Sequence, residues 1–112
     1  MNITYRTNKL KKQAEDLKEL FKAFGTNAKQ VKTRLEDLKA AASLEVIGKI
    51  SGANCHQLKG KNYKGYLAVT ITGNRRLIFE PNHDPKPIKD DGGLDWTQVT
   101  DITIEELCYD YH

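Results

Sequence analysis

Cysteine is scarce in this chain. Cys55 and Cys108 are the only two among 112 residues, too few for a disulfide framework and without the spacing of a zinc motif. Both read as reduced thiols. Long apolar runs are missing too, which excludes a membrane-spanning helix. The opening residues, Met1-Asn2-Ile3-Thr4-Tyr5-Arg6, lack the apolar stretch of a signal peptide, so the expected location is the cytoplasm, with no membrane partner. Internal repeats and low-complexity tracts are absent. What remains is 38% hydrophobic and 29% charged, a globular balance in a length suited to one domain spanning residues 1–112.

The net charge of +3 conceals a division. Residues 1–80 carry 16 lysines and arginines against 7 acids, a balance of +9. Residues 81–112 carry 2 against 8, a balance of −6. A basic body suits a polyanionic partner, although lysines also solvate the outer faces of helices without any further role.

Apolar spacing supplies the fold. Leu10, Ala14, Leu17, Phe21 and Phe24 recur at intervals of four and three, which predicts one helix over about 8–24. Gly25 follows as a residue able to end it in a left-handed conformation, and Thr26 stands where it can cap a second helix. In that helix Ala28, Val31, Leu35, Leu38 and Ala42 form the inner stripe, so a helical hairpin is expected over about 8–42. Residues 44–54 show no clear period and read as a connecting loop.

From Cys55 the pattern becomes that of sheet, over about 55–112. Tyr66, Ala68, Thr70 and Thr72 alternate with Leu67, Val69 and Ile71. Gly73-Asn74 marks a hairpin turn, Leu77 and Phe79 alternate with Arg76, Ile78 and Glu80, and Pro81 stops that strand. Residues 82–95 are rich in turn formers and acids, predicting an exposed acidic loop in which His83 is solvated and Trp96 docks the end. A last strand fits 99–107, with a bulge at Glu105-Glu106, and Ile3 and Tyr5 suggest a short first strand. The expected class is α+β, a helical hairpin packed on one face of an antiparallel sheet, with the other face open to solvent.

Several short elements occur in an informative order: Cys-His-Gln-Leu-Lys-Gly at 55–60, Gly65-Tyr66, Gly-Asn-Arg-Arg-Leu-Ile-Phe-Glu-Pro at 73–81, and Asp-Tyr-His at 110–112. This order resembles the HigB-type toxins of plasmid-maintenance systems, within the RelE/ParE superfamily, over nearly the whole chain. The resemblance implies a RelE-like fold and a ribosome-dependent endoribonuclease that cuts mRNA in the 70S A site and inhibits translation. It implies as partner a helix-turn-helix antitoxin of the HigA kind, through which alone operator DNA would be contacted. It places His56, Asp110, Tyr111 and His112 at active-site positions, and Lys59 and Arg76 at positions that hold the RNA phosphate. No cofactor or metal is implied. The loop at 82–95 is longer than in the shortest members, so nothing near it carries over, and its expected place is at the rim, away from the basic groove or against the antitoxin.

The chemistry agrees with these residue types. Metal-free cleavage of RNA needs a base for the ribose 2′-OH, positive charge on the pentavalent phosphate and an acid for the departing 5′-oxygen. Histidine serves as base or acid near neutral pH. Lysine and arginine serve the phosphate, the guanidinium gripping two oxygens at once. Tyr111 would stack on a base or donate its hydroxyl, and Asp110 would orient a histidine or act as base itself. His112 is assigned as general base and His56 as second proton carrier or phosphate ligand, an assignment that can be exchanged. The rival readings are a ParE-like protein that poisons DNA gyrase without catalysis, and an inactive module that only binds its antitoxin.

Overall fold

The computed structural model describes residues 1–110. The chain begins with strand β1 (Asn2–Tyr5) and continues into helices α1 (Asn8–Glu15), α2 (Leu17–Phe24) and α3 (Ala28–Ala40). A short helix α4 (Leu44–Gly48) leads to strands β2 (His56–Gln57), β3 (Leu67–Thr72), β4 (Arg75–Pro81) and β5 (Asp101–Asp110). Among the described residues no helix is long and apolar enough to cross a membrane.

The predicted first helix is broken at Asp16. That residue is extended (φ −100°, ψ 113°), and its carboxylate accepts from the backbone N–H groups of Lys18 at 2.9 Å and Glu19 at 3.3 Å. Aspartate is a strong N-cap and a weak helix interior residue, because its short acceptor competes for nearby N–H groups. The break turns α2 relative to the predicted stripe. Leu10 and Leu20 are buried, Ala14 and Phe24 pack partly against the core, and Leu17 and Phe21 are exposed at 55% and 49%. Gly25 ends α2 at φ +53°. Thr26 does not cap the next helix: a 3-10 turn spans Gly25–Asn27, and α3 starts without a side-chain cap. The inner stripe of α3 is as predicted through Leu38, but the helix stops at Ala40 and Ala41, rather than Ala42, enters the core. The predicted loop at 44–54 contains α4, which buries Leu44 and Ile47; five residues are too short for a period to show.

The five strands form one sheet in the order β1-β5-β4-β3-β2. Its central pairings are antiparallel, but β1 lies parallel to β5, Asn2 opposite Asp101 and Tyr5 opposite Ile104. The sheet is therefore mixed rather than wholly antiparallel. Register shifts against Ile78 and Phe79 put extra residues of β5 around Glu105 and Glu106, the predicted bulge, and β5 runs on to Asp110. Leu67, Val69, Ile71, Leu77, Phe79, Ile102 and Ile104 meet the helices in the main core. The opposite face is not simply open, as expected. Leu58, Ala68 and Ile78 form a second, smaller buried cluster there, edged by Tyr63, Tyr66 and Tyr109. The connection between β2 and β3 folds over this face and supplies Leu58, Tyr63 and Tyr66.

Candidate functional site

Strand pairing decides which side chains share a face. His56 is the register partner of Ala68, Ala68 of Ile78, and Thr70 of Arg76, which pairs in turn with Tyr109. Directly paired residues point the same way, so His56, Arg76 and Tyr109 stand on the face away from the helices. Two strand spacings and two residues along β4 set the Cα atoms of His56 and Arg76 about 12 Å apart, room for two side chains with a phosphate between them.

His56 is exposed, with Nδ1 2.8 Å from the carbonyl oxygen of Asn54. A carbonyl only accepts, so the bond assigns the ring proton to Nδ1 and leaves the lone pair of Nε2 as the basic position. Asn54 makes this bond from a left-handed conformation, φ +47°. Arg76 donates through Nη1 to the carbonyl oxygens of Gly73 at 2.6 Å and Arg75 at 3.0 Å. The hairpin turn thus fixes the guanidinium through one nitrogen, and among the described residues no acceptor engages Nε or Nη2.

Asp110 is not on that face. Its register partner is Arg75, the neighbour of Arg76 and therefore directed to the opposite side, and Arg75 Nη2 lies 3.7 Å from Asp110 Oδ2. Lys59 follows β2 and lines a groove of about 730 Å³ beneath the 82–95 loop. Tyr111 and His112 lie outside the described residues. Of the six predicted site residues, His56 and Arg76 share a face, Lys59 borders it, and Asp110 pairs behind it.

Sequence reasoning missed three features. The tyrosines form an aromatic edge: the Tyr63 ring centroid is 6.0 Å from Tyr66 and 5.6 Å from Tyr109, the latter edge to face. A carboxylate is buried beside them. Glu105 is 7% exposed, and Arg6 Nε approaches its Oε2 at 3.2 Å. Burial and then the neighbouring Glu80 carboxylate push the Glu105 carboxyl above its ordinary range, with Arg6 pulling it back. The negative charge of Glu105 in turn pushes the Tyr66 hydroxyl upward. Third, His83 is not merely solvated: the backbone N–H groups of Thr100 and Asp101 donate to its Nε2 at 3.1 and 3.3 Å, tying the start of the loop to β5. Trp96 docks the other end as predicted, partly buried and against Gly48.

The loop itself is not remote from the basic groove. Lys86, Ile88 and Leu94 form one wall, opposite Lys59 and Lys64. Both cysteines are free thiols, and burial pushes Cys55 up to about 12 and raises Cys108.

Helices packed on a five-stranded sheet in this order make a RelE-like fold. The chain is similar to a chain of the YoeB-YefM complex from Staphylococcus aureus, at 19% identity over 100% of this chain and 97% of the other, with a TM-score of 0.49. It is also similar to a chain of the heterotetrameric YoeB-YefM toxin-antitoxin complex from Staphylococcus aureus, at 18% identity over 99% and 98%, with a TM-score of 0.51. No protein-family model and no curated protein matches the sequence. At these identities the likeness is one of fold.

Proposed function

We propose that this protein is the toxin of a type II toxin-antitoxin pair, HigB-type in its motifs, and that it cleaves mRNA on the ribosome in the cytoplasm. The observation that carries the reading is the sharing of one sheet face by His56, with Nε2 as its free base, and Arg76, on a scaffold otherwise seen in a toxin-antitoxin complex. The ordered motifs at 55–60, 73–81 and 110–112 support the HigB type. The partner is then a HigA-like antitoxin, and the substrate is mRNA in the ribosomal A site.

In this reading a histidine takes the 2′-OH proton, the 2′-oxygen attacks phosphorus, and the 5′-oxygen leaves with a proton from the second histidine. The products are a 2′,3′-cyclic phosphate and a free 5′-hydroxyl. His112 and His56 fill these two roles, and Arg76 and Lys59 hold the phosphate oxygens. Tyr111 stacks on a base beside the cut. Asp110, at the end of β5 with Arg75 Nη2 3.7 Å from its Oδ2, orients a histidine or acts as base itself.

Primer extension on a reporter mRNA in a translating extract tests the reading. Wild-type protein cuts within the translated region only when ribosomes are present. His112→Ala and His56→Ala each lower cleavage by about 10²–10⁴-fold, the usual worth of one acid–base group. Intact mRNA with active ribosomes refutes the ribonuclease, and gyrase-dependent DNA breaks in its place would mean the ParE-like mode.

A further inference from the structure

We infer that the groove between the β2–β3 connection and the 82–95 loop is a second RNA-binding subsite, in which Lys64 and Lys86 grip backbone phosphates flanking the cleavage point. The inference rests on the ribonuclease reading and adds to it a path for the strand. Three lysines line this groove, Lys59 and Lys64 from the β2–β3 connection and Lys86 from the 82–95 loop. Lys86 Nζ closes over Gly65, 3.7 Å from where a side chain there would begin. All three lysines are exposed, and among the described residues none is in an ion pair, whereas Lys32, Lys49 and Lys89 each have a carboxylate partner.

Among the described residues, none of the acids of the loop forms an ion pair with these three lysines. Asp91 pairs with Lys89 at 3.6 Å and accepts from Gly93 N–H at 2.8 Å. Asp95 accepts from Thr97 and Gln98. Asp84 and Asp90 do not line the groove. The wall these residues build is a tight hairpin, bridged between Ile88 and Leu94, and it shows Ile88 to solvent at 56% exposure. Unpaired cations along a trough with apolar contact surface match a single nucleic-acid strand, whose phosphates and base faces alternate in the same way. Gln57, the residue after His56 in β2, is among the lining residues of the trough, so the trough lies one residue along the strand from the proposed cutting point. That continuity favours RNA over an acidic peptide as occupant.

The test is binding of a short, uncleavable 2′-O-methyl oligoribonucleotide, followed by fluorescence anisotropy over a salt series. Each phosphate contact to a single strand contributes about 0.7 to the slope of log affinity against log salt. The double variant K64A/K86A therefore binds more weakly, with a slope shallower by about 1.4. Wild type loses about sevenfold more affinity than the variant for a fourfold rise in salt. K22A/K39A, the same charge change in the helical layer, keeps the wild-type slope, and K64R/K86R restores it. Equal losses in both alanine pairs would reduce the effect to net charge and overturn the subsite. An unchanged isotherm for K64A/K86A beside normal wild-type binding would overturn it while leaving the ribonuclease reading intact. Weakened antitoxin binding with unchanged RNA binding would overturn it in favour of a peptide dock. No oligonucleotide binding by wild type would remove the subsite, and cleavage in the translating extract then decides separately whether the ribonuclease reading survives.

Discussion

Replacing Arg6 with alanine removes the counter-charge from the one carboxylate that is buried among the described residues. The Arg6 and Glu105 side chains are 52% and 9% exposed, so the pair lies between two measured regimes. Exposed pairs contribute about 0.2–1 kcal/mol, and removing one partner of a fully buried pair costs about 3–5 kcal/mol. Arg6→Ala is expected to cost about 1–2 kcal/mol at neutral pH, a fall in Tm of roughly 5–10 °C at this size. Part of that loss belongs to the bond from Arg6 Nε to the Glu105 backbone carbonyl at 3.4 Å, and a double-mutant cycle with Glu105→Gln separates it. Glu105→Gln alone is neutral or stabilising at pH 7, because it removes a buried charge that also faces Glu80 and Glu106. The sign with pH follows from the raised carboxyl. A group that holds its proton more tightly folded than unfolded favours folding below its ordinary value, here 4.5, and that contribution is lost as pH climbs through the folded value. Wild type should therefore lose stability relative to Glu105→Gln as pH rises from about 4.5 toward neutrality. The Arg6–Glu105 coupling behaves oppositely, present at pH 7 and fading as the carboxyl protonates. Urea unfolding of the four proteins at pH 5 and 7.5 reads both. An Arg6→Ala cost that is the same with or without Glu105→Gln would show that the ion pair contributes nothing.

Two further outcomes follow from local structure. Asp16→Ala removes the cap that starts α2 and should cost about 1 kcal/mol in urea unfolding; a gain in stability would mean that α1 and α2 fuse without penalty. In thiol-reagent kinetics at pH 8, Cys108 should react before Cys55, whose thiol is held up to about 12 by burial, and denaturant should equalise them. Rapid reaction of native Cys55 would contradict its burial.

The long periodic elements were legible because many residues repeat the same message. Val31, Leu35 and Leu38 identify the inner face of α3 on their own, and Leu67, Val69 and Ile71 do the same for β3. Asp16 was not legible as a break, since the apolar spacing on either side fits one continuous helix and a single capping carboxylate leaves no periodic trace. The parallel docking of β1 joins residues about a hundred positions apart, which no local pattern can announce. Ile78 reads as an outward residue of an alternating strand, yet it is buried because Leu58 and the tyrosines return over that face. For the site, motif order pointed to His56, Lys59 and Arg76; strand register sets His56 and Arg76 on one face, and Lys59 lines the groove beside it. The facing of Asp110 was not legible, because adjacency to Tyr111 and His112 in sequence says nothing of strand register, which sets it opposite Arg75. Lys64 and Lys86 carried no motif, and only the folding of two loops toward each other makes them neighbours.

The position of β5 has a consequence for when this fold can exist. The strand sits inside the sheet, between β1 and β4, although it is the last of the five to be synthesised. Until residues 101–104 are made, β1 has no strand partner, and until residue 109 is made the aromatic edge lacks Tyr109. Pairing so distant in sequence is slow to form, because the loop must close before its contacts return any free energy. A chain interrupted before residue 101 leaves a sheet split in two, with exposed apolar edges that suit it to degradation. The architecture thereby couples synthesis of β5 to assembly of the sheet face that carries His56, Arg76 and Tyr109.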